Sequence, residues 1–197
     1  MVSLLNHPEY YYFHIRIIIG MVTGLSVARL LNGWARFVQH PSRNEIYVVH
    51  LGWSVFLFLS VIHFWWFEFG FSQISSWHFP IYFFIIFYAA LLFFLCALIF
   101  PDDLHGYENY EAYFYSRQSW FFGLLALMFA IDLIDTELKG ARYFHSLGAL
   151  YPFRQVGLCI LSLIAMRTER RSFHAGFLIV ALLAESWWAV YQFESLF

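Results

Sequence analysis

The chain has 197 residues, of which 61% are hydrophobic and 12% are charged, and its formal net charge is −2. Soluble domains are about 45–50% apolar and about 25% charged, so this composition cannot cover a water-facing surface and excludes a separate soluble domain. The small negative net charge also gives no reason to expect a nucleic-acid partner. We therefore predict one all-α domain over residues 1–197 that is embedded in a lipid bilayer.

Six apolar segments are each long enough to cross a bilayer as a helix, which takes about 20 residues. The fifth segment is the weakest, because it contains Pro152 and Arg154. If it breaks at the proline, its continuous part is too short to span alone. The sequence predicts a bundle of about six transmembrane helices, which cover roughly residues 15–37, 46–69, 79–100, 119–138, 144–166 and 173–193.

The first and fourth segments share a weak pattern. Aligning Gly20 with Gly123 places Arg29 on Asp132. This alignment predicts a pseudo-repeat of residues 1–100 and 117–197, with two three-helix halves of opposite orientation, as in inverted-repeat transporters and channels. The alternative is chance similarity between two apolar stretches.

Basic residues near the segment ends predict the orientation, because they favour the cytoplasmic side. One side carries Arg36, Arg43, Arg117, Arg167, Arg170 and Arg171, and the other carries Arg16, Lys139 and Arg142. The bias places both termini outside the cytoplasm, provided that the fifth segment spans.

Small residues in the first segment, Gly20, Gly24 and Ala28, recur every four positions. This spacing lets a second helix approach closely, either inside the bundle or between subunits of a homo-oligomer. Arg29 follows this stripe inside the segment, where a charge needs a partner or a wet cavity. Asp132 and Asp135 late in the fourth segment are the expected partners, and an Arg29–Asp132 pair would either hold helices together or belong to an ion path.

The second segment contains His50 near its start and His63 deep inside it. An imidazole titrates near neutral pH and can relay protons. The spacing of 13 residues is that of haem-ligand histidines on one helix of b-type cytochromes, but a matching pair on a second helix is missing from the sequence. We therefore predict neither haem nor another cofactor, and the sequence leaves metal binding open.

Glu185 lies near the middle of the sixth segment. A carboxylate inside a membrane helix marks a functional site by default. If it is unpaired, desolvation favours its protonated form. Arg154 is either its counter-charge or part of a break in the fifth segment.

The stretch GLSVARLLNGWARFVQHP, with HLGWSVFLFLSVIHFWWFEF after it, resembles small bacterial integral membrane proteins of unassigned function. The likeness covers the first third of the chain. It implies a multi-pass protein of the bacterial inner membrane and supplies no site residues.

The leading functional hypothesis is an oligomeric channel or transporter for protons or small cations. Its path would be lined by Arg29, His63, Asp132, Asp135, Arg154 and Glu185. One alternative is a structural or sensory membrane subunit, whose buried charges only hold helices together. Another is a membrane redox or lipid-modifying enzyme that uses His50 and His63.

Overall fold

The computed structural model describes residues 8–40, 45–74, 76–104 and 106–195. These residues form seven α-helices and one 3₁₀-helix, with no strand among them, so the all-α prediction is confirmed. The α-helices are α1 (Pro8–Gln39), α2 (Val48–Phe67), α3 (Phe79–Ile99), α4 (Tyr110–Leu138), α5 (Ala141–Ser146), α6 (Leu150–Ala165) and α7 (Arg171–Ser195), and the 3₁₀-helix covers Glu68–Gln73.

Four helical stretches in the described residues are long and apolar enough to cross a membrane, where six had been predicted. They are Tyr10–Gln39, Val48–Ser72, Phe79–Ile99 and Arg171–Val190. α4 has 29 residues, but charged side chains lie in its first and last turns. α6 has 16 residues, which corresponds to about 24 Å of helix, shorter than the roughly 30 Å hydrocarbon core of a bilayer.

The predicted fifth segment is divided into two helices. The short α5 is followed by a turn in which Gly148 has φ +77°, a conformation that favours glycine. α6 then begins at Leu150, so Pro152 lies in its first turn, where the missing N–H is not needed. The proline therefore starts a helix, and the predicted break lies before it.

α6 runs antiparallel to the inner part of α4. At its start, the Tyr151 hydroxyl lies 2.7 Å from the Thr136 hydroxyl near the end of α4. At its end, the Ala165 carbonyl accepts a hydrogen bond from Gln118 near the start of α4, at 2.7 Å. α6 thus runs along α4 between Thr136 and Gln118 in spite of its short length.

Aromatic rings form much of the core between α2, α4 and α7. Trp53 is fully buried, and its ring packs edge-on against four phenylalanines at centroid distances of 5.0–5.7 Å. Edge-to-face packing places positive ring edges on negative ring faces. The four partners are Phe56, Phe121, Phe122 and Phe177.

Among the described residues, nothing packs closely against the stripe of small residues on α1. Gly24 and Ala28 are exposed, and a Cβ added at Gly20 or Gly24 would have nothing within 4 Å. The close approach occurs instead at Gly33, where a Cβ would lie 2.3 Å from the Phe100 ring. Packing of the stripe within the bundle was therefore a wrong prediction, and its other interpretation, contact between subunits, stays a prediction.

Candidate functional site

A cavity of about 60 Å³ lies among α2, α3, α4, α6 and α7. It is closer to the end of the bundle at which α1 begins, which we call the N-terminal end, because α2 and α4 line it with their last turns and α6 with its first turns. α7 contributes Glu185 and Trp188 from its second half. Seven acidic, basic or histidine side chains line this cavity. These residues, which we call the polar cluster, are His63, Glu68, Asp132, Asp135, Lys139, Arg154 and Glu185.

Helical periodicity explains why these side chains converge. Asp132, Asp135 and Lys139 are three and four residues apart and therefore share one face of α4. Tyr151 and Arg154 share one face of α6 for the same reason. These faces point into the bundle, whereas large apolar side chains on the opposite side of α6 are exposed, among them Phe153, Ile160 and Leu163.

The first part of the cluster is an ion-paired triad. The Lys139 ammonium donates to Glu68 Oε1 at 2.8 Å and also to Asp135 Oδ2. All three side chains are only 2% exposed. Lys139 Nζ also lies 4.9 Å from the centre of the Phe71 ring. Two carboxylates thus share one ammonium in a dry environment, which leaves one negative charge without a counter-charge inside the triad.

The second part of the cluster is centred on Asp132. Its carboxylate accepts hydrogen bonds from the Tyr88 hydroxyl at 2.9 Å, from the Tyr151 hydroxyl at 2.6 Å and from the Gln155 amide. Because Tyr151 has only one hydroxyl proton, the Thr136 hydroxyl must donate to Tyr151. Asp132 therefore accepts hydrogen bonds from three neutral donors.

The third part of the cluster is Glu185 with two partners. His63 Nδ1 lies 2.6 Å from Glu185 Oε1, so Nδ1 carries the proton. Arg154 forms an ion pair with Glu185 Oε2, and its guanidinium lies 5.6 Å from the centre of the Trp188 ring. Glu185 is therefore a paired carboxylate, and of the two interpretations of Arg154 the structure shows the counter-charge.

The polar cluster has more acids than permanent cations. It contains four carboxylates, two permanent cations and one histidine, so two negative charges remain unbalanced when His63 is neutral. Three buried acceptor atoms that belong to cavity-lining residues have no hydrogen-bond partner in the described structure: Glu68 Oε2, Asp135 Oδ1 and Gln155 Oε1. The site is therefore able to accept a proton or another donor.

Sequence reasoning missed Glu68 and Lys139 as members of the site. Both lie at the ends of apolar segments, where charged side chains usually extend to the surface. The available signals were the spacing of four between Asp135 and Lys139, which allows an ion pair on one helix, and a carboxylate directly after the apolar run of α2.

Arg29 lies outside the polar cluster. It donates to the Phe100 carbonyl at 2.7 Å and pairs with Asp102 at 2.7 Å, just after the end of α3. Phe100 is 12 residues beyond Tyr88, the partner of Asp132, which corresponds to roughly 18 Å along a helix. The predicted Arg29–Asp132 pair is wrong, because α1 presents Arg29 at the opposite end of the bundle.

Arg29→Met and Asp132→Asn are expected to have additive effects on the free energy of unfolding. Residues that share no partner add within about 0.3–0.5 kcal/mol. A double-mutant cycle, measured by reversible unfolding in mixed micelles, checks this. A coupling energy above about 1 kcal/mol would contradict the placement of Arg29.

His50 is also separate from the cluster. It is fully buried, and its Nε2 lies 2.6 Å from the Ile99 carbonyl, so Nε2 carries the proton and donates to the end of α3. Thirteen residues of helix separate it from His63 by about 20 Å, so the two rings cannot act on one substrate atom. Among the described residues, no group of three His, Cys, Asp or Glu side chains is placed to hold a metal ion.

No protein-family model, curated protein or solved structure matches this chain. The geometry of the polar cluster is therefore the basis for proposing a function.

Proposed function

We propose that this chain is a multi-pass protein of the bacterial inner membrane in which α4 and α6 cross together with the four long apolar helices. The antiparallel run of α6 along α4 supports six crossings. The inward position of Asp132, Asp135 and Arg154 supports them as well, because it removes these charges from the lipid-facing surface. The two inverted halves stay a prediction.

We propose further that the polar cluster carries protons or small cations across the membrane. One observation carries this proposal: four carboxylates, two permanent cations and a histidine surround one cavity inside the helix bundle. Ionisable groups at such positions are expensive to bury and are characteristic of ion and proton pathways. A cavity of about 60 Å³ has room for only a few water molecules, which favours stepwise transfer over a wide open pore.

The outward stripe of Gly20, Gly24 and Ala28 supports association of this chain with further copies of itself, because small residues let helices approach closely. A homo-oligomer would place several polar clusters side by side in the lipid bilayer.

Asp132→Asn is expected to abolish most proton or cation flux into liposomes, because it removes the charge at the hydrogen-bonded centre of the cluster. Glu137→Gln is the matched control, since Glu137 lies on the same helix with its side chain exposed and should leave flux unchanged. Flux is measured with an internal pH dye and with ion-selective electrodes under an applied potential. Equal flux in the two variants would contradict the proposed path.

A structural membrane subunit is the second candidate, and a specific observation favours it. The cluster joins α2, α4, α6 and α7 through ion pairs and hydrogen bonds. Such contacts would hold the helices of a structural subunit together. The two candidates differ in flux, because a purely structural cluster stabilises the protein without moving ions.

Both termini are expected outside the cytoplasm. Lys139 is buried between two carboxylates, so only Arg16 and Arg142 act as juxtamembrane cations on that side, and the bias toward the other side increases. Arg43 lies outside the described residues. A reporter that is active only in the cytoplasm should stay inactive when fused after residue 197 and become active in the α1–α2 loop. The reverse pattern would contradict this topology.

A further inference from the structure

The triad of Glu68, Asp135 and Lys139 places two carboxylates against one ammonium, with each side chain 2% exposed. One oxygen of each carboxylate contacts Lys139. The other oxygens, Glu68 Oε2 and Asp135 Oδ1, are buried and have no hydrogen-bond partner in the described structure. Two like charges in a dry site repel strongly, and one proton shared between them removes the repulsion.

We propose that the ion held by the polar cluster is the proton, and that it is stored between the Glu68 and Asp135 carboxylates beside Lys139. This inference rests on the proposed function, because it names the ion that the cluster exchanges. The triad with its proton is electrically neutral, whereas the triad without it carries one uncompensated negative charge.

The geometry favours a proton over a metal cation. A proton needs only two oxygen atoms, whereas a metal ion needs several ligands at fixed distances. No three His, Cys, Asp or Glu side chains in the described parts of the chain form such a set. The Lys139 ammonium also lies against both carboxylates and would repel a second cation of similar charge density.

His63 and Glu185 provide an entry for the proton. The His63 side chain is 17% exposed, while its Nδ1 donates to Glu185 at 2.6 Å. A proton that binds His63 Nε2 allows the Nδ1 proton to pass to Glu185 Oε1, which returns the imidazole to its neutral form. One proton enters and one moves on, and only N–H and O–H bonds change. The cavity that joins Glu185 to the triad is large enough for water to complete the transfer.

Infrared spectroscopy of the reconstituted protein tests the storage site, because a protonated carboxyl has its own C=O stretching band. Wild-type protein at neutral pH should show the band of one protonated carboxyl. Glu68→Gln and Asp135→Asn should each lose this band, since one carboxylate then matches one ammonium. Glu137→Gln, which changes an exposed carboxylate on the same helix, should retain it.

A missing band in the wild type, or a band that survives both triad variants, would overturn the assignment of the proton. Flux measurements on the same liposomes separate this failure from failure of the proposed function. Sodium or potassium flux without the band would reject the proposal that the ion is a proton, and would support the proposal that the cluster transports ions. The expected pattern of bands without any flux would support the stored proton and would reject the proposal that the cluster transports ions.

Discussion

Lys139→Met is expected to lower the free energy of unfolding by about 3–5 kcal/mol, the usual cost of removing one partner from a buried ion pair. The substitution leaves Glu68 and Asp135 close together without their ammonium, and both side chains are only 2% exposed. Chemical unfolding in mixed micelles, followed by tryptophan fluorescence, measures the change.

The matched control is Arg142→Met, which removes an exposed cation three residues further along the chain. Surface substitutions of this kind usually stay within about 0.5 kcal/mol. Neutralising the carboxylates as well, in Glu68→Gln/Asp135→Asn/Lys139→Met, should restore part of the loss, because no buried charge then lacks a partner. The triad would have no role in stability if Lys139→Met cost no more than the control.

Glu185→Gln is expected to lower the free energy of unfolding by about 3 kcal/mol and to abolish flux. Since Arg154 forms an ion pair with Glu185, Gln leaves a guanidinium unpaired. The expected loss is at the lower end of the usual range for a broken buried pair, because Arg154 keeps its contact with the Trp188 ring.

The double variant Glu185→Gln/Arg154→Gln separates stability from transport. Removing both charges should restore most of the stability, because neither partner is left buried and unpaired. It should not restore flux, since the acceptor of the His63 proton is still absent. Recovery of flux together with stability would show that Glu185 only holds α6 and α7 together.

Most helices could be predicted from the sequence, because an apolar run of about 20 residues is a strong signal. The boundaries were less accurate where polar residues extend a helix. α4 begins at Tyr110, nine residues before the predicted start, because Asn109 accepts a hydrogen bond from the Ala112 N–H at 2.9 Å and caps the helix. The predicted start of the fifth segment was wrong. α6 begins at Leu150, and Pro152 lies in its first turn, where a proline does not break a helix.

The members of the site could be predicted better than their partners. Of the six residues predicted to line a path, the structure brings His63, Asp132, Asp135, Arg154 and Glu185 to one cavity. The predicted partner of Arg29 was wrong. The position of a residue within its own segment does not determine which residues of a neighbouring helix lie at the same level of the bundle. That level depends on contacts such as Gly33 against Phe100, which no single segment encodes.

Proton flux into liposomes that contain the wild-type protein shows directly whether the polar cluster moves protons. The polar cluster should exchange protons with water across the membrane over about pH 5 to pH 8. We expect an applied potential to acidify the liposome interior faster than in empty liposomes, and Glu185→Gln/Arg154→Gln to abolish the difference. Wild-type liposomes that acidify no faster than empty ones over this range would contradict the claim and leave the polar cluster as a purely structural one.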